Sequence, residues 1–149
     1  MTKIELNKTY FRKIKNYSFG DLPIETLNEI FRDGRPSSFF LEPQLALWFP
    51  ELTHIKGCLD HDHIDQRGQK YDAKNFTKRG MQFKPSNQIG TGRVFNFSAM
   101  CKKAGALIYI ACDIVEFPKI RIIFKSGNDL VREYPTGKVS KTKREVLFS

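Results

Sequence analysis

"GCLDHDHIDQRGQKYDAKNFTK", residues 57–78, holds four aspartates and two histidines around a short glycine-bearing loop. The reading of that loop sets the local fold. Gln66, Arg67 and Gly68 form a three-residue hairpin loop with glycine at the left-handed position such loops favour. The flanking runs then pair as antiparallel strands, with Asp62 opposite Asp72 and Asp60 opposite Lys74. Side chains alternate along a strand, so Asp60, Asp62, Asp72 and Lys74 share one face, and His61, His63, Tyr71 and Ala73 share the other. A one-residue slip would exchange the two sets. Three carboxylates side by side repel one another. A solvated hairpin does not gain from such an arrangement, whereas a divalent cation would relieve it.

The surroundings are basic. The 149 residues carry a formal net charge of +9, with 40% apolar and 28% charged residues. This describes one globular domain over residues 1–149, with a polyanion as the favoured partner. Lys3, Lys8, Arg12, Lys13 and Lys15 form a basic N-terminal segment. Lys138, Lys141, Lys143 and Arg144 form a basic C-terminal tail, expected as a flexible arm or a late strand at "EVLF". An acidic pocket within a basic surface suggests a divalent ion acting on phosphate. No apolar run could span a bilayer and no signal-peptide core opens the chain, so an intracellular, cytoplasmic protein without membrane association is expected. Cys58, Cys101 and Cys112 form no Cys-x-x-Cys pair and read as reduced thiols.

The remaining punctuation predicts a mixed α/β (α+β) domain. Residues 20–34 read as one helix, capped by Asp21 and ended by Gly34. Pro43 and Pro50 confine any helix within residues 37–52 to a short one. Residues 92–105 suit a helix ending at Gly105. Residues 106–117 and 119–127 read as adjacent antiparallel strands split by Pro118, with a short helix after them.

Three kinds of chemistry compete for the acidic hairpin. A three-histidine zinc site would need His54, which lies outside the hairpin. "LDHDHID" resembles the His-metal nuclease motif of phage endonuclease VII, but without the Cys-x-x-Cys pairs that accompany it there. The third reading uses the carboxylates. Asp62, nine residues, then Asp72-Ala73-Lys74 has the shape of a PD-(D/E)XK nuclease site. Two carboxylates and the Ala73 carbonyl offer oxygen ligands to Mg²⁺, and Lys74, on the face of Asp72, can orient the attacking water.

The flanks sharpen this last reading. "DHIDQRGQKYDAK" resembles the catalytic stretch of the PvuII-type restriction endonucleases in the ten-residue spacing of the acids and at Asp65, Gly68, Gln69 and Tyr71. "EIFRDG", residues 29–34, resembles a helix-ending segment whose acid, here Asp33, approaches DNA from the minor groove. "FTKRGMQFKPSNQ" resembles the segment that enters the major groove. The second acid is Asp72 where PvuII has glutamate, and the paired histidines of the reading segment are absent.

The resemblance implies a PD-(D/E)XK core, a central mixed sheet flanked by helices. It implies a homodimeric type II restriction endonuclease that uses Mg²⁺ to cut double-stranded DNA, leaving 5′-phosphate and 3′-hydroxyl ends. Asp62, Asp72 and Lys74 would be catalytic. Asp62, Asp72, Ala73 and possible fourth ligand Asp60 would hold the metal. Gln82, Lys84, Ser86, Asn87 and Gln88 would read bases, and Lys78, Arg79 and Arg93 would contact phosphates. Glu42, on the preceding helical stretch, reads as a solvated glutamate with the site within its reach. A basic DNA-binding module without catalysis is the reading from a different class.

Overall fold

A computed structural model describes residues 3–57 and 61–149. Its centre is a six-stranded mixed sheet. The two strands of greatest apolar and β-branched content are β6 (Leu107–Asp113) and β7 (Lys119–Ser126), which pair antiparallel at the middle of the sheet. β1 (Thr9–Lys13) closes one edge against β7. On the other side β4 (Lys70–Phe76) runs parallel to β6, followed by the two-residue strands β3 (His63–Ile64) and β2 (Thr53–His54). A parallel pair needs a crossover. Here the connection from β4 to β6 carries β5 (Met81–Gln82), a 3₁₀ turn at Ser86–Gln88 and helix α3 (Phe97–Gly105).

Helices cover both faces. Alternation along the strands sends Tyr71, Ile110, Ile122 and Phe124 to one face, where Leu41 and Leu45 of helix α2 (Gly34–Trp48) and Phe49 just after it meet them. Phe76, Tyr109, Ala111 and Ile123 point the other way. They pack with Met100 and Ala104 of α3, Leu130 of α4 (Gly127–Glu133) and Leu147 and Phe148 of α5 (Arg144–Phe148). Met81, Phe83 and Val139 belong to this second core, so the small ribbon of β5 and β8 (Lys138–Val139) lies over the same face.

Several elements differ from the sequence reading. The expected helix at residues 20–34 is α1 (Ile24–Phe31), with Pro23 rather than Asp21 at its cap position. Gly34 does not end it but begins α2 (Gly34–Trp48), because the Asp33 carboxylate accepts from the Arg35 amide and caps a new helix. Pro43 sits inside α2. It removes a backbone donor on the solvent side, beside exposed Phe39, while Leu41 and Leu45 on the opposite face are buried and hold the helix to the sheet. The "EVLF" segment is neither a strand nor an extended arm. It is α5, with Leu147 and Phe148 buried. Among the described residues no helix is long and apolar enough to cross a membrane.

Candidate active site

The hairpin register is the expected one. His63 pairs with Tyr71 and Ile64 with Lys70, which sets Asp62 opposite Asp72. Gly68 takes φ +83°. The Asp65 carboxylate ties the loop together by accepting from the Arg67 and Gln69 amides at 2.9 and 3.0 Å and from the Tyr71 hydroxyl at 2.9 Å. Thus Asp65, Gly68, Gln69 and Tyr71 fix the hairpin geometry, and the chemistry is left to the residues beyond them.

β3 stops at His63, and the Asp62 side chain takes over its edge. Asp62 Oδ2 accepts from the Ala73 amide at 2.8 Å. The amide and carbonyl of one strand residue point the same way, so the Ala73 carbonyl is directed to this edge as well. Asp72 is only 8% exposed. Its Oδ2 lies 3.2 Å from Lys74 Nζ, and its carboxyl also hydrogen-bonds to Asp62. Burial raises the Asp72 pKa to about 6. Lys74 opposes the shift and the Asp62 carboxyl adds to it. Asp60 lies outside the described residues.

α2 adds a third carboxylate. Glu42 hydrogen-bonds to Asp62, and its Oε1 lies 3.4 Å from His54 Nε2. Burial raises its pKa; the Asp62 hydrogen bond opposes this, and the Asp72 charge adds to it. The Glu42 carbonyl accepts from His63 Nε2 at 2.6 Å, which fixes the helix to the hairpin. His63 is fully buried, and burial lowers its pKa, so its ring is neutral. The His54 ring lies 5.3 Å from it. Sequence reasoning set His54 apart from the hairpin and treated Glu42 as solvated. The pairing of β2 with β3 and the continuation of α2 through Pro43 bring both to the carboxylates. A two-residue strand and a proline-bearing helix give only weak signals in the sequence.

Beyond Phe76, β4 runs into a tight turn at Thr77–Gly80 that presents Lys78 and Arg79, both exposed. Asp33 lies across from it, 3.8 Å from Arg79 and 3.3 Å from Arg35. The Arg35 amide and guanidinium hold its carboxyl below the usual range. These residues, with Ser38, Asn75 and Thr77, line a cavity of about 530 Å³. Gln82, Ser86 and Asn87 are exposed. Lys84 is half-buried over the Phe95 ring. Arg93 donates to the Ser86 carbonyl at 2.6 Å and so braces the loop. Gln88 faces inward. It is 8% exposed and its Oε1 accepts from the Asn96 amide at 2.9 Å, so its side chain holds the start of α3.

Among the described residues no group of three or more His, Cys, Asp or Glu side chains is spaced as a complete metal-ligand set. His63 Nε2 is committed to the Glu42 carbonyl, which removes its outer nitrogen from any histidine site. The donors that do converge are carboxylates and a carbonyl. The raised pKa values of Asp72 and Glu42 mark negative charge held at a cost, and the donor set fits a hard divalent ion that retains waters for its remaining positions. Comparison of the chain with protein-family models, with curated proteins and with solved structures finds no significant match.

Proposed function

We propose that the protein is a Mg²⁺-dependent endonuclease of duplex DNA, acting as a restriction enzyme of the PD-(D/E)XK kind. The observation that carries the reading is the contact of Asp62, Asp72 and Lys74. Two acids ten residues apart in sequence share a hydrogen bond, one of them is buried with a raised pKa, and a lysine ammonium lies 3.2 Å from it. A solvated acidic hairpin would keep its carboxylates apart and exposed. The basic turn that follows on the same strand supports a phosphate-bearing substrate.

In this reading Asp62, Asp72 and the Ala73 carbonyl hold the ion, and Glu42 supports Asp62 from α2. The bound ion supplies Lewis-acid stabilisation of charge on the scissile phosphate and lowers the pKa of water. Lys74 donates to the attacking water or to a developing phosphoryl oxygen. Asp72 must be ionised to serve, so the metal-free protein takes up the ion more readily as pH rises through about 6. Lys78 and Arg79 engage phosphates, and Gln82, Lys84, Ser86 and Asn87 face the bases. A two-fold dimer would cut both strands of a two-fold symmetric site.

Plasmid cleavage tests this. The wild type should nick and linearise supercoiled DNA with Mg²⁺ and not with EDTA, leaving 5′-phosphates that a ligase can rejoin. Lys74→Ala should cut roughly 10²–10³-fold more slowly while binding duplex normally. A Lys74→Ala protein that cuts at the wild-type rate would overturn the assignment.

A further inference from the structure

The β5–β8 ribbon and the turn beside it form a second cleft, about 610 Å³, lined by Lys78, Arg79, Gln82, Lys138, Ser140 and Lys141, among others. Four of its lining residues are cations and none is an acid. Among the described residues Lys78, Lys138 and Lys141 have no carboxylate within ion-pair distance, and Arg79 reaches Asp33 only at 3.8 Å with its side chain 81% exposed. Around Asp113 the basic residues are balanced. Asp113 takes Arg121 and Arg144, Glu145 takes Arg121, and Glu116 takes Arg144. Uncompensated cations in a concave surface repel one another. The arrangement therefore costs stability unless an anion enters.

The cleft is also rigidly tied to the candidate active site. Met81 pairs with Val139 and Gln82 with Lys138. Gly80, at φ +87°, lies so close to the Val139 carbonyl that a Cβ there would collide with it. Phe83 accepts no slack either, since its amide donates to the Gly137 carbonyl at 2.9 Å. The C-terminal segment thus moves with the turn that follows β4. From Asp72 to Thr77 is five residues of strand, or roughly 16 Å. Duplex DNA advances about 3.4 Å per base pair, so with β4 laid along the duplex axis this length of strand spans about five base pairs.

We propose that the 138–141 segment, with Lys78 and Arg79, clamps the phosphodiester backbone of the duplex about half a helical turn from the cleaved bond. This rests on the reading of duplex DNA as substrate. The residues contact phosphate alone, so they contribute affinity and salt dependence without sequence preference.

The test is the salt dependence of duplex binding by the full-length protein, with Ca²⁺ in place of Mg²⁺. Three proteins are compared: wild type, Lys138→Gln/Lys141→Gln, and Lys8→Gln/Arg132→Gln. The third loses the same charge, but its cations already pair with Glu5 and Asp129. Each phosphate contact contributes about 0.9 to the slope of log affinity against log salt. The cleft variant should lose about 1.8 of that slope, a change of about twelvefold in relative affinity over a fourfold range of salt. The control pair should keep the wild-type slope. Equal slopes for the cleft variant and a binding wild type would overturn the clamp and leave the nuclease reading standing. Equal losses in both variants would show a general charge effect and also overturn it. A wild type that binds no duplex at low salt would overturn both.

Discussion

Replacing Asp72 with Asn should stabilise the metal-free protein, by an amount that depends on pH. The Asp72 pKa rises from 3.8 to about 6 on folding. At about 1.4 kcal/mol per unit this amounts to about 3 kcal/mol. The sign follows from proton release. Well below pH 3.8 the carboxyl is protonated in both states and adds nothing. Between 3.8 and about 6 the unfolded chain releases its proton first, so stability falls as pH rises, and above 6 the full cost is present. Asn resembles the protonated acid and never carries this cost. Glu42 and His63 titrate in both proteins, so their contributions largely cancel in the difference. Thermal unfolding of wild type and Asp72→Asn from pH 4 to 8 in EDTA should therefore diverge with rising pH, to roughly 6–12 °C for a domain of this size. Ca²⁺ should close the gap at pH 8 by stabilising the wild type, have little effect at pH 5, and leave the variant unmoved. Parallel stability curves for the two proteins would refute the claim that Asp72 is held ionised at a cost.

Other expectations concern the scaffold and the roles of particular side chains. His61→Ala should retain most cleavage activity, since the strand alternation read from the sequence sets residue 61 on the face opposite Asp72; loss of activity there beside an active Lys74→Ala would favour histidine chemistry. Leu45→Ala, at a fully buried position of α2, should cost roughly 2–5 kcal/mol in denaturant unfolding. Gly127→Ala would drive a Cβ into the Ala104 carbonyl at the close approach of α3 and α4, and should cost roughly 1–3 kcal/mol; an unchanged unfolding midpoint would mean that these helices separate freely.

The hairpin was the most legible part of the chain. Gly68 at the left-handed position of a three-residue loop points to the register that places Asp62 against Asp72, and in the fold the Asp65 carboxylate holds that loop. The β6–β7 pair was equally plain from its apolar runs. What the sequence concealed lay where local signals were outweighed by packing. Pro43 argues against a long helix, yet Leu41, Leu45 and Phe49 bury enough apolar surface to carry α2 through it, and so bring Glu42 to Asp62. Asp33 looks like the end of a helix, but its carboxylate starts the next one. β1, rich in charge, becomes a strand because β7 offers it an edge. Gln88 reads as a polar loop residue, and only the fold shows it turned inward to the Asn96 amide.

The most direct measurement is duplex binding at one salt concentration with EDTA and with Ca²⁺, for wild type and Asp72→Asn. Asp62 and Asp72 share one edge, which on the proposed reading the scissile phosphate approaches, and like charges at that range would repel it. The wild type should bind weakly in EDTA and tightly in Ca²⁺, without cutting in the latter. Asp72→Asn should bind better than wild type in EDTA and gain little from the ion. Affinities indifferent to the ion in both proteins would mean that the carboxylates do not face phosphate, and would contradict the proposed site.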